Sequence, residues 1–328
     1  MKWLRWLLAT AVAGGAALAL AFGWAAYWDR SAPVGDRTVV IPQGSTFAEV
    51  TSLLSRRGVV AHPLAFRVLA RAGGVETHVE AGEYAFPAHE STSSVLTQLV
   101  EGRGQIARWI TLPEGFTARE IAQALAKRGL GDVRAYEDWF MDNSIELYGT
   151  RTRNLEGFLF PDTYLIPLPA SPEVTARIMV DEFRRELPAD APQQARKLGL
   201  TVPQVITVAS LVEREAKADD ERPLMAGVYY NRLRRGMPLQ VDASIEYALP
   251  QHATVITRAD LARDSPYNTY RHAGLPPTPI ANPGRPSITA AFSPQRSDFL
   301  YYVYKGNGHH AFARTYAEHR ANVSRYLK

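Results

Sequence analysis

The sequence predicts an α+β protein in three parts: a single N-terminal transmembrane helix within residues 1–30, a small mixed module over 37–105, and a larger mixed α+β domain over 106–328. Three observations predict it. An uninterrupted apolar run opens the chain, a strand–turn–helix pattern occurs twice in the first half, and amphipathic helices then alternate with short extended stretches bounded by Gly and Pro.

The apolar run extends from Trp6 to Trp28 with Thr10 as its one clearly polar residue, long enough to cross a hydrocarbon core of about 30 Å. Lys2 and Arg5 precede it, and Trp24, Tyr27 and Trp28 stand where an interfacial aromatic belt belongs, so the N-terminus is expected in the cytoplasm and everything after Arg30 outside. A cleaved signal has an apolar region of about 7 to 15 residues that ends in small residues; the longer run and aromatic exit here favour a retained anchor.

Composition removes several classes of function. Hydrophobic residues make up 46% of the 328, enough for a real core, and the absence of cysteine excludes disulfides, thiolate metal sites and cysteine nucleophiles. The net charge of +4 arises from 37 basic residues spread among 33 acids with no basic block, which argues against a nucleic-acid partner and suits an anionic membrane or wall polymer.

After a short linker, SAPVGD (31–36), the stretch IPQGSTFAEVTSLLSRRGVV (41–60) recurs in register as LPEGFTAREIAQALAKRGLG (112–131). Each copy reads as a strand end, a Pro-x-Gly turn, a threonine cap, an amphipathic helix and a glycine stop. Thr46 with Glu49, and Thr117 with Glu120, have capping-box spacing, in which hydroxyl and carboxylate satisfy free N–H groups at a helix start. Between the copies, AFRVLARAGG and SSVLTQLVEGRG read as helices flanking an extended EAGEYAF (80–86).

The second copy leads into LEGFLFPDTYLIP (155–167), a helix around 171–185, and a helix over 202–217. A proline-rich irregular stretch, GLPPTPIANPGRP (274–286), and a hairpin around a Gly-Asn-Gly turn in FLYYVYKGNGHHAFAR (299–314) follow. The helix at 202–217 ends in Glu213-Arg214-Glu215. Residues two apart on a helix point some 200° from each other, so the two carboxylates do not share a site. Glu215 stacks over Val208, Leu211 and Val212, a bulkier apolar neighbourhood than the Ile206, Ala209 and Ser210 beneath Glu213. Burial against apolar groups raises a carboxyl pKa, which equips Glu215 as a general acid; surface pairing with Arg214, Lys217 or Arg222 is the plain alternative.

Other candidates are read two ways. Glu156, in the apolar LEGFLF, is either a buried ion pair or hydrogen-bonded group, or a cleft residue. Gln240 and Asp242 in LQVDAS alternate as on one strand face and could bind sugar hydroxyls, with Asp242 alternatively a turn or cap residue. Asn268 and Tyr270 in YNTY offer an amide and an aromatic face to a sugar, or fix a loop and pack. His309, His310 and His319 lack metal-ligand spacing, Gly44, Gly102 and Gly115 belong to no phosphate loop, and there is no GxSxG; neither metal nor cofactor is expected.

ASLVEREA (209–216), VYYNRLRRGMPLQVDASIEYAL (228–249), SPYNTYRHAGLPPTPIANPG (265–284) and the terminal Gly-His hairpin, in this order and with LEGFLFPDTY, AGEYAF and the anchor upstream, resemble the endolytic murein transglycosylases of the YceG-like family. The resemblance spans nearly the whole chain. It implies a plasma-membrane enzyme facing outward, with a small LysM-like module and a larger α+β catalytic domain. Such an enzyme cuts nascent peptidoglycan glycan strands internally and leaves 1,6-anhydro-muramyl ends, and wall-synthesis enzymes are plausible partners. The family's catalytic glutamate corresponds to Glu215. The hydroxyl residue that commonly follows it is replaced here by Ala216. A lone carboxyl suits this chemistry, because no water has to be activated, whereas a hydrolase needs a second carboxylate: Glu156 or Asp242 in a muramidase reading. A non-catalytic wall-binding scaffold is the competing class.

Overall fold

A computed structural model describes residues 2–29, 38–249 and 256–327, so the linker expected at 31–36 lies outside the described residues. Helix α1 (Lys2–Gly23) continues into a π-helical turn, Trp24–Trp28. Together they contain the stretch Trp6–Trp28, which is long and apolar enough to cross a membrane and is unpacked except at its last turn, where Ala26 is buried.

The chain forms two compact units, the first comprising Met1–Ile110 with Tyr164–Pro169, the second Thr111–Thr163 with Ala170–Lys328. In the first unit, β1 (Thr38–Ile41), α2 (Phe47–Arg56), α3 (Pro63–Ala72), β2 (Gly82–Ala85), α4 (Thr92–Glu101) and β3 (Gln105–Thr111) follow in order. The EAGEYAF segment supplies the middle strand β2, antiparallel to β1 (Thr38 opposite Ala85) and to β3 (Gly82 opposite Arg108). Gly82 is required there, because a Cβ would meet Gln105 Nε2 at 2.1 Å and the Ala107 carbonyl oxygen at 2.8 Å. Val39, Ile41, Leu54, Phe66, Tyr84 and Leu99 meet in the core between sheet and helices.

In the second unit, α5 (Ala118–Lys127), α6 (Val133–Asp142) and the short pair β4 (Glu146–Leu147) and β5 (Thr150–Arg151) precede β6 (Thr163–Pro167). The chain there returns to the first sheet, whose order is β1-β2-β3-β6. Then come α7 (Pro172–Glu186), α8 (Ala191–Lys197), α9 (Val202–Glu215), a 3₁₀ turn (Asp219–Glu221), α10 (Arg222–Arg234), α11 (Asp242–Ala248), α12 (Arg258–Leu261), α13 (Arg285–Phe292), the hairpin β7 (Tyr301–Gly306) and β8 (His309–Ala313), and α14 (Tyr316–Tyr326). Both repeat copies form the expected turn and helix, and both capping boxes are present, Thr46 with Glu49 and Thr117 with Glu120.

Helix α9 is the axis of the second unit. It starts from a Thr201–Gln204 capping box, and every residue from Val205 to Val212 is buried, Thr207 and Ser210 included, so neighbours must surround it. Helices α8, α10, α11 and α13 do so. Charged residues begin at Glu213, where the helix emerges from its sheath, and the Ala216 N–H closes the last turn on the Val212 carbonyl at 2.8 Å.

Candidate active site

The end of α9 sends three consecutive charged side chains in three directions. Glu213 accepts a hydrogen bond from the Gly284 N–H at 3.0 Å and pairs with Arg222 at 3.3 Å. Arg222 is held in turn by Asp219 at 2.8 Å and by the Ser287 hydroxyl, so Glu213 ties the proline-rich stretch and α10 to α9. Arg214 turns the other way and donates to Glu246 on α11 at 2.8 Å.

Glu215 faces a third neighbourhood. The Tyr302 hydroxyl on β7 donates to its Oε2 at 3.3 Å, and the Tyr229 hydroxyl on α10 lies 3.0 Å from that of Tyr302. The backbone N–H of Ala243, at the start of α11, donates to it as well. Burial, and then the negative charge of Asp242, push the Glu215 carboxyl from 4.5 up to about 7, against the opposing pull of the Ala243 N–H, the Tyr302 hydroxyl and Lys217. A proton is therefore present on it for much of the time near neutral pH.

The structure corrects one local reading. Gln240 and Asp242 do not alternate along a strand: Gln240 has a left-handed backbone with φ of 53°, and Asp242 is the first residue of α11. The cause is a buried cation on the preceding helix. Arg232, buried on α10, donates to the carbonyls of Leu239 at 2.7 Å, Pro238 at 3.1 Å and Leu300 at 2.6 Å, and to Gln240 Oε1 at 3.2 Å. Its guanidinium also sits 5.1 Å from the centre of the Tyr301 ring. Arg232 thus gathers 238–240 and the start of β7 around one cation, and the chain turns instead of extending.

Asp242 and Tyr270 are brought together, the Tyr270 hydroxyl donating to Asp242 Oδ1 at 2.5 Å. Asp242 and Gln240 are exposed and Tyr270 is partly so, and the charge of Asp242 acts on Glu215. Asn268 is fully buried; its Nδ2 donates to the Leu261 and Arg263 carbonyls at 3.0 and 2.7 Å, and its Oδ1 accepts from the Tyr270 N–H at 3.0 Å. It fixes the loop that carries Tyr270.

Glu156 is also buried, 1% exposed, with its carboxyl at the start of α5, where the Ala118 N–H donates to both oxygens at 3.0 and 3.1 Å. Tyr247 and Asn282 add donors at 3.1 Å each. Burial raises its pKa to about 7, opposed by these donors. A cleft of about 1020 Å³, lined by Thr117, Glu120, Glu156, Arg214, Glu246 and Tyr267 among others, lies alongside α11. Glu215 is not in its wall; Ala243, which donates to Glu215, is.

Sequence reading passed over Tyr302, Tyr229, Arg232 and the pair Glu221–His310. Glu221 accepts the His310 N–H at 2.9 and 3.0 Å and its Nδ1 at 2.9 Å, which clamps the hairpin to the 3₁₀ turn after α9. The His310 ring then packs edge-on against Tyr302 at 5.6 Å. The available signal was the run of tyrosines in VYYNRL and FLYYVY, whose hydroxyls need partners when buried.

A carboxyl whose pKa is raised to about 7 and which is hydrogen-bonded by a tyrosine hydroxyl has properties that a general acid requires. The YceG-like family model matches residues 39–325, and the chain belongs to that family. It is 33% identical to the endolytic murein transglycosylase of Bacillus subtilis (strain 168), over 88% of this chain and 84% of that protein. It is 31% identical to the endolytic murein transglycosylase of Streptococcus pneumoniae (strain D39), over 88% of this chain and 58% of that protein. The crystal structure of a YceG-like protein from Listeria monocytogenes superposes with a TM-score of 0.62 at 29% identity, covering 87% of this chain and 98% of that one.

Proposed function

We propose that this protein is a membrane-anchored endolytic lytic transglycosylase that cuts the glycan strands of nascent peptidoglycan and leaves 1,6-anhydro-muramyl ends. The observation that carries the reading is the Glu215 carboxyl, raised to about 7 at the end of a buried helix and bonded by the Tyr302 hydroxyl. Protonated, it gives its proton to the glycosidic oxygen as the bond to C1 breaks. As carboxylate, it takes the proton of the sugar's own C6 hydroxyl as that oxygen closes onto C1. The Tyr302 hydroxyl and the Ala243 N–H stabilise the carboxylate between the two steps. Gln240, Asp242 and Tyr270 contact the sugar, while Asn268 and Glu156 hold the loops that present them. Trp6–Trp28 anchors the enzyme in the plasma membrane with the rest of the chain outside, residues 37–105 act as the LysM-like module that orients glycan, and wall-synthesis enzymes are its partners.

Mass spectrometry of polymeric peptidoglycan digested by the purified protein tests this reading. Anhydro-muramyl ends generated inside strands are expected. Reducing ends would make it a muramidase, with Asp242 as the carboxylate that activates water, and unchanged strands would make it a wall-binding scaffold.

Tyr302→Phe removes the side-chain donor to Glu215 and leaves Asp242, Lys217 and the Ala243 N–H facing it. The carboxyl then holds its proton more firmly, so the alkaline limb of the pH–rate profile is expected to move to higher pH while the maximal rate falls. A profile of unchanged position in a folded variant would remove Tyr302 from the proton's path.

A further inference from the structure

The exposed face of α3 is unlike the rest of the first unit's surface. Leu64 and Val68, 74% and 51% exposed, stand one turn apart, and Arg67 and Arg71 share that face. The opposite face, Ala65, Phe66 and Ala70, is buried in the core, so the outward position of the two aliphatic residues is fixed by packing. Helix α3 contains no acid. Large aliphatic side chains beside arginines on one solvent-facing stripe match the interfacial helices that lie in the headgroup layer.

A second observation gives the stripe its occupant. The π-helical turn that closes the apolar span packs on α3 and α4, with Ala26 and Asp29 buried in the contact. His62, the residue immediately before α3, meets the Asp29 carboxylate through Nε2 and the Trp24 ring edge-on at 5.9 Å. Trp24, Tyr27 and Trp28 remain 54%, 51% and 69% exposed around this contact. The start of α3 is therefore fixed at the end of the span where an interfacial belt belongs.

We propose that the Leu64–Arg71 face of α3 lies on the bilayer, its aliphatic residues among the acyl-chain ends and Arg67 and Arg71 on anionic headgroups, so that the first unit is held against the membrane surface. The proposal rests on the reading of Trp6–Trp28 as a membrane anchor. Lipid contact at α3 would limit the tumbling that a tether at one point permits, and would leave the first unit with a defined side toward the membrane.

The chain has no cysteine, so single labels are unambiguous. Leu64→Cys, Val68→Cys, Leu18→Cys and Val174→Cys are made separately in the full-length protein, spin-labelled, and reconstituted into nanodiscs containing phosphatidylglycerol. Accessibility to oxygen and to a water-soluble nickel chelate is then compared. Labels at 64 and 68 are expected to be several-fold less accessible to the chelate than the label at 174, and the combination Arg67→Glu with Arg71→Glu should restore that accessibility. If 64 and 68 are as accessible as 174 while 18 is in hydrocarbon, the anchor stands and the membrane-facing role of α3 is wrong. If 18 itself is accessible to the chelate, the anchor reading fails and this inference fails with it.

Discussion

Glu215→Gln is expected to lower the rate of anhydro-muramyl end formation by at least ~100-fold, the low end of what a positioned general acid contributes. Glutamine keeps the size of the side chain and accepts from the Ala243 N–H and Tyr302, but it has no proton to give. The same substitution should raise stability at alkaline pH. A carboxyl whose folded pKa stands at about 7 against 4.5 binds its proton more tightly when folded, so the parent loses stability as pH rises from about 4.5 through 7. The melting temperature of the variant should match the parent at pH 5 and exceed it at pH 8. Glu213→Gln should show the reverse pattern: near-parent rates per folded molecule, with a lower melting temperature because the Arg222 pair and the Gly284 contact are weakened. Parent-like rates from folded Glu215→Gln, together with loss in Glu213→Gln, would move the chemistry to the other glutamate.

The largest expected effect on folding is at Gly157, next to Glu156. Its φ is 89°, and a Cβ there would meet Pro279 Cβ at 2.3 Å and Cγ at 2.4 Å, with Ile206 Cγ2 at 3.5 Å. Gly157→Ala therefore combines a backbone conformation unsuited to L-residues with overlap against a rigid ring, for a destabilisation of about 3 to 5 kcal/mol. Urea denaturation of purified protein reads this directly. A loss below about 1 kcal/mol would mean that the proline-rich stretch yields easily and does not brace α9 as its contacts imply.

The parts of the fold written in local patterns were legible beforehand. Thr46 with Glu49 and Thr117 with Glu120 announce helix starts because a capping box is completed within one turn of chain. Residues 80–86 and 299–314 read as strands from their own composition. What escaped was set by distant partners. LQVDAS looks like a strand, but Thr269 takes the N–H groups of Gln240 and Val241 from 28 and more residues away, and β6 joins the sheet beside β3 by a pairing that nothing in TYLIP specifies. The choice of Glu215 over Glu213 rested on helical phase and on resemblance. The run of tyrosines in FLYYVY signals hydroxyls that need partners, but that Tyr302 meets Glu215 is set by tertiary packing, since it arrives from a hairpin near the other end of the chain.

Glu215 lies where two helices meet head to tail in the electrical sense. It sits on the last turn of α9, whose carbonyl end carries partial negative charge and favours a neutral carboxyl, and it receives the Ala243 N–H from the first turn of α11, whose amino end favours a carboxylate. The two influences oppose each other across one side chain, and one of them depends on a short helix whose first residue, Asp242, is exposed. The Ala243 N–H lowers the acid's pKa while burial and the charge of Asp242 raise it, so the acidity of Glu215 is set by a balance between neighbours and not by one of them. The same side chain is thus pulled toward its neutral form by the helix that carries it and toward its charged form by the helix it faces.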